Sequence, residues 1–141
     1  MVGRAKRYAI ADTAQQLVGG FLLAGPFVVT AEVWELAANM GAVHAVATVG
    51  IVFGIGYAAL YKADADRDPD RELDVAGIPV RFISLVAVAY GSVLVLALAF
   101  SAPETFVADS TDLVRASTTL KAASIGAVFS VIGAATADSV F

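Results

Sequence analysis

The sequence contains no cysteine and one histidine in 141 residues. Disulfides and thiolate chemistry are excluded, and a zinc site, which draws on three or four His, Cys or carboxylate ligands, has little to work with. Basic residues are scarce: nine Lys and Arg stand against thirteen Asp and Glu, a formal net charge of −4. No basic stripe exists to neutralise phosphates, which excludes nucleic acid as an expected partner. Also missing are a nucleophile elbow, a phosphate-binding loop, paired metal-binding histidines and a dinucleotide fingerprint. An intramembrane protease would need an apposed Ser–His or Asp pair inside an apolar run, whereas Asp12 and Asp138 fall at the edges of theirs. The chain is read as a non-enzyme with no cofactor.

What is present is apolar residue, 59% of the chain, with a mean hydropathy of +0.80. Soluble domains hold about 45–50%, so the excess points to lipid as the solvent. Four apolar stretches predict an all-α polytopic membrane protein, a single four-helix transmembrane domain with spans at about 13–38, 42–62, 82–102 and 116–137. Between the second and third lies an acidic loop, 63–81, whose Pro69, Gly77 and Pro79 oppose a long helix. Its alternating acids do not make an EF-hand, because a loop starting at Asp64 offers Pro69 and Val75 where glycine and glutamate are required. The favouring of Ala, Val, Gly and Asp resembles the composition of proteins from halophiles.

Basic residues orient the spans. Arg4, Lys6, Arg7, Lys62, Arg67, Arg71 and Arg81 fall on one side, Arg115 and Lys121 on the other. The bias places both termini and the acidic loop in the cytoplasm of a multi-pass cell-membrane protein. The first span is expected to be retained as a signal anchor, since Asp12, Gln15 and Gln16 separate the basic residues from the apolar run.

The stretch Asp12–Asn39 carries the most chemistry. At ~1.5 Å rise per residue, Asp12 and Glu32 stand roughly 30 Å apart on one helix, about a hydrocarbon core. Gly25-Pro26 bends or loosens it, because Pro26 cannot donate to the carbonyl of Leu22. Glu32 and Glu35 share a flank near the helix C-terminus, where mutual repulsion and the macrodipole both oppose ionisation. A compensating group is therefore expected. Lys121 and Arg115 would supply a structural ion pair with Glu32; a monovalent or divalent cation, with His44 as a further ligand, would supply an ion site. The identity of any metal stays open. Gln15 and Gln16 are expected to bond between helices, and Asp12, Asp138 and Arg81 to form an ordinary surface pair. Two small-residue ridges, Gly50-Gly54-Ala58 and Gly126-Ser130-Ala134, are expected to pack helices closely.

The run Gly19–Ala37, with Gly19-Gly20, Pro26 and Glu32-Val33-Trp34, resembles a family of conserved integral membrane proteins of unassigned function that is frequent in haloarchaea; Ser124–Ala127 resembles it too. The resemblance implies a multi-helix membrane protein and no activity.

Two functions fit. In the first, the chain is a subunit of an oligomeric cation channel or ion-coupled transporter using Glu32 at the outer end of the first helix. Seven-residue steps from Glu32 reach Gly25, Val18 and Ala11, with Arg7 one turn further, and this acidic, apolar, then basic order resembles the pore helix of store-operated calcium channels. In the second, it is a non-conducting scaffold or partner-binding subunit. The lipid bilayer and a homo-oligomer are the partners expected in both.

Overall fold

The computed structural model describes residues 10–62, 68 and 74–140, which are mostly helical. Arg4, Lys6, Arg7, Arg67 and Arg71, and the acidic run 63–73 apart from Asp68, lie outside the described residues. Among the described residues three helices are long and apolar enough to cross a membrane, or four if a sharply bent pair counts as one span.

That bent pair replaces the expected continuous first span. Helix α1 (Ile10–Val28) ends two residues after Pro26, and α2 (Ala31–Asn39) leaves at 82°. Pro26 itself sits inside α1, so the turn falls later, at Val29-Thr30. Thr30 has extended backbone, φ −105° and ψ 133°. Side chains take up carbonyls at the end of α1: Thr30 Oγ1 donates to the oxygen of Phe27 at 3.2 Å, and Trp34 Nε1 to that of Val28 at 3.1 Å. The tryptophan thus pins the corner, and its ring stacks on Phe106 with centroids 5.7 Å apart.

Helix α3 (Ala42–Tyr57) runs into a π-helical turn, Ala58–Lys62. Past the undescribed loop, β1 (Asp74–Val75) and β2 (Ile78–Pro79) form a minimal antiparallel hairpin. Its two-residue turn holds Ala76 at φ 54° and Gly77 at φ 85°, the left-handed pair that matches strand twist. Then follow α4 (Val80–Ala99), the short α5 (Ala102–Phe106) and α6 (Asp112–Val140).

At 29 residues α6 is the longest helix, and α1, α2, α3 and α4 all pack on it. Its small residues explain this central place, because backbones can approach where side chains are short. At Gly19 and Gly133 the backbones of α1 and α6 touch, leaving no room for a Cβ on either. A methyl at Gly126 would come within 3.0 Å of Val93, and Ser130 Oγ donates to the oxygen of Gly20 at 3.0 Å. Gly126, Ser130 and Ala134 are buried.

On α3, by contrast, Gly50, Gly54 and Ala58 are exposed, and a Cβ added at either glycine meets nothing within 4 Å. The face of α3 turned to the bundle is Val52-Gly56-Leu60, all buried; a Cβ at Gly56 would reach Val131 at 3.1 Å and Leu85 at 3.2 Å. Both ridges repeat every four residues, so spacing could not tell the inward one from the outward one.

Gly133→Val should push α1 off α6, lowering stability by about 3 kcal/mol as overpacking does. Gly50→Val should change it by less than about 0.5 kcal/mol. The comparison is read from unfolding of the detergent-solubilised protein.

Candidate functional site

Two places gather polar groups, one at each end of the bundle. The first is buried. Arg81, in the first turn of α4, directs Nη1 at both oxygens of Asp138 on α6, at 2.7 and 2.9 Å. Its Nη2 reaches Asp12 on α1 at 3.3 Å. Gln16 joins the same three helices: its Nε2 donates to Asp138 at 3.1 Å and to the carbonyl of Arg81 at 3.4 Å, while its Oε1 accepts from Ser84 at 2.7 Å. Thr13 approaches Ser84 at 3.5 Å.

The expected surface pair is not what forms here. The side chains of Arg81 and Asp138 are 6% and 0% exposed, that of Asp12 21%. Burial of charge is tolerated only with paired, hydrogen-bonded partners, and the guanidinium fork and glutamine amide provide them. Gln16 behaves as expected, bridging helices from a fully buried position. This cluster also brings the start of α1, the start of α4 and the end of α6 to one end of the bundle.

The pairing links residues 57 and 122 positions apart in the chain, so periodicity carries no trace of it. The legible signal was polarity out of place: Gln16 inside an apolar run, Arg81 and Asp138 each at the margin of one.

The second place surrounds α2. Glu32 and Glu35 are exposed, on the opposite side of the helix from buried Val33, Trp34 and Ala37. The corner at Thr30 changes their electrostatics. Glu32 stands in the first turn of α2, where the macrodipole favours an anion, and no longer at the end of a long helix where it would oppose one. The seven-residue face linking Glu32 to Gly25, Val18 and Ala11 is likewise interrupted, because α2 points elsewhere.

Neither expected cation reaches Glu32. Lys121 Nζ donates to the carbonyl of Met40 at 2.7 Å, placing its ammonium at the negative end of α2. Arg115 folds over the preceding turn, donating to the carbonyls of Val107, Ala108 and Ser110 at 3.3, 3.1 and 3.4 Å, with Asp112 at 3.5 Å. His44 is exposed and caps α3, its Nδ1 accepting from the N–H of Gly41 at 3.1 Å. Among the described residues no three His, Cys, Asp or Glu side chains stand close enough to share a metal ion. Gly25 is loosely packed, with Leu96 at 3.9 Å from an added Cβ, and Pro26 is exposed.

These features define a helical protein with apolar helices consistent with a membrane. No family model matches the chain, and neither a curated protein nor a solved structure matches it.

Removing one member of the buried pair deprives the other of its strongest partner, leaving Arg81 with Asp12 or Asp138 with Gln16. Asp138→Leu or Arg81→Met alone should cost about 3–5 kcal/mol, and the double change should recover most of that loss. Thermal unfolding of the three variants in one detergent measures it; additive losses would mean that the pair contributes little coupling.

Proposed function

We propose that the protein is a four-span cell-membrane protein, with both termini cytoplasmic, that works as a non-conducting structural subunit of a homo-oligomer. The observation that carries this is the outward ridge of α3. Gly50, Gly54 and Ala58 form a smooth, open face on a helix whose other side is already packed. Lipid-embedded helices associate through such faces, because apolar burial gives no preference for protein over lipid while close backbone approach does. Neighbouring α3 residues Val46, Ile51 and Phe53 are also exposed, giving the ridge apolar flanks. The seven-to-two basic bias supports the orientation.

The open space gives a clean test. A Cβ added at Gly54 meets nothing within 4 Å among the described residues, so Gly54→Leu should leave the protomer folded and lose its oligomeric size in mild detergent. Cross-linking in native membranes should fall in parallel. An unchanged assembly would assign the ridge to lipid.

A second reading, an ion-conducting oligomer, draws on Glu32 and Glu35: they are exposed on one flank, with Lys121 and Arg115 bonded elsewhere. Around a symmetry axis, Glu32 would ring an outer mouth. Liposomes carrying the protein separate the two. The structural reading expects no sodium, potassium or calcium flux above empty vesicles. A flux abolished by Glu32→Gln with oligomeric size retained would establish the second.

A further inference from the structure

We infer that α2 is an interfacial helix, lying along the bilayer surface at the outer end of the bundle, with its carboxylates in the headgroup layer. The inference rests on the membrane reading proposed above. It concerns which part of the bent pair crosses.

Length comes first. Helix α1 has 19 residues, which at ~1.5 Å each span about 28 Å, close to a full hydrocarbon core. By length it needs no contribution from α2, although the two helices reach the apolarity of a span only as a pair. The buried charged layer of Asp12, Arg81 and Asp138 marks one edge. On α6, Lys121 lies 17 residues before Asp138, or about 26 Å away. Lys121 is the residue that holds the end of α2 through Met40. The helix therefore sits about one core thickness from the charged layer, and its 82° bend turns it across the direction of α1.

The sidedness of α2 comes second. At about 100° per residue, Glu32, Glu35 and Asn39 fall on one arc and Val33, Trp34 and Ala37 on the opposite one. Burial agrees: the first three are exposed and the last three buried. Were α2 to continue through the membrane, the arc of two carboxylates and an amide would face hydrocarbon, on the side of the helix turned away from the bundle. Ionised groups there are costly. Laid along the surface, the same helix puts its apolar arc on the bundle and its polar arc in headgroups and water, as an amphipathic surface helix does. Glu32 at the positive end of the α2 dipole and Lys121 at the negative end suit this placement.

Site-directed spin labelling tests it on the full chain, which has no native cysteine. Single cysteines replace the exposed residues Glu32, Glu35, Leu36 and Asn39, with exposed Leu22, about 15 Å along α1 from Asp12, as the reference for depth. Each is labelled in phosphatidylcholine vesicles, and depth is read from relaxation by oxygen against a water-soluble nickel chelate. The expected result is four α2 labels within about 5 Å of one depth, in the headgroup layer, and Leu22 deep in the hydrocarbon. A depth advancing by ~1.5 Å per residue, roughly 10 Å from position 32 to 39, would mean that α2 crosses, and would overturn the inference with the membrane reading intact. A shallow Leu22 label would overturn the membrane reading, and the inference with it.

Discussion

The architecture depends on the backbone contact between α1 and α6 at Gly19 and Gly133. Nothing larger than hydrogen fits there, so the two helices meet at the smallest separation that main chains allow. Around this crossing the other contacts follow. Ser130 turns its hydroxyl to the carbonyl of Gly20, Ala137 packs beside Gly19, and Phe27 stacks on Phe129 at 4.1 Å further along the same two helices. The Arg81 network lies on one side of the crossing and closes it: Asp138 is one residue beyond Ala137, and Gln16 one turn before Gly20. Dispersion between close surfaces and a charge-assisted lock act on one pair of helices, and α4 is tied in through the arginine.

The corner at Val29-Thr30 has the widest consequences for chemistry. A proline usually marks where a helix yields, yet Pro26 lies inside α1 and the chain turns three residues later. Two carbonyls near the end of α1 find side-chain donors in Thr30 and Trp34, which offsets the loss of helical hydrogen bonding at the turn. The new helix has its own dipole. Glu32 stands in the first turn of that helix and no longer at the end of a long one. Lys121, a candidate partner for Glu32, serves the opposite end of α2.

Helix α3 shows a different division of labour. Its packed face, Val52-Gly56-Leu60, meets Leu85 and Val131, and aromatic contacts of Phe53 and Tyr57 with Phe82 hold the flank. Its second ridge, Gly50-Gly54-Ala58, faces outward. One helix thus carries a packed face of Val52, Gly56 and Leu60 and a small-residue face that looks outward.

By itself the sequence determined the mostly helical class and the presence of helices long and apolar enough to cross a membrane. It did so because apolar length and the lack of charge are properties of continuous segments: Val80–Ala99 and Ala42–Tyr57 lie close to the expected 82–102 and 42–62. It also marked Gly126-Ser130-Ala134 as a packing face and Gln16 as a bridge between helices. Only the tertiary structure decided which of the α3 ridges turns inward, where the first helix breaks, and whom Arg81, Asp138 and Lys121 meet. Each of these depends on groups far apart in the chain. The corner needs an indole reaching back six residues while its ring finds Phe106, and the buried pair needs α4 and α6 to converge on α1. A polar residue at the margin of an apolar run reads the same in sequence whether it meets water or a guanidinium. Its partner is chosen by how the helices cross, and here that crossing follows from a contact only two glycines permit.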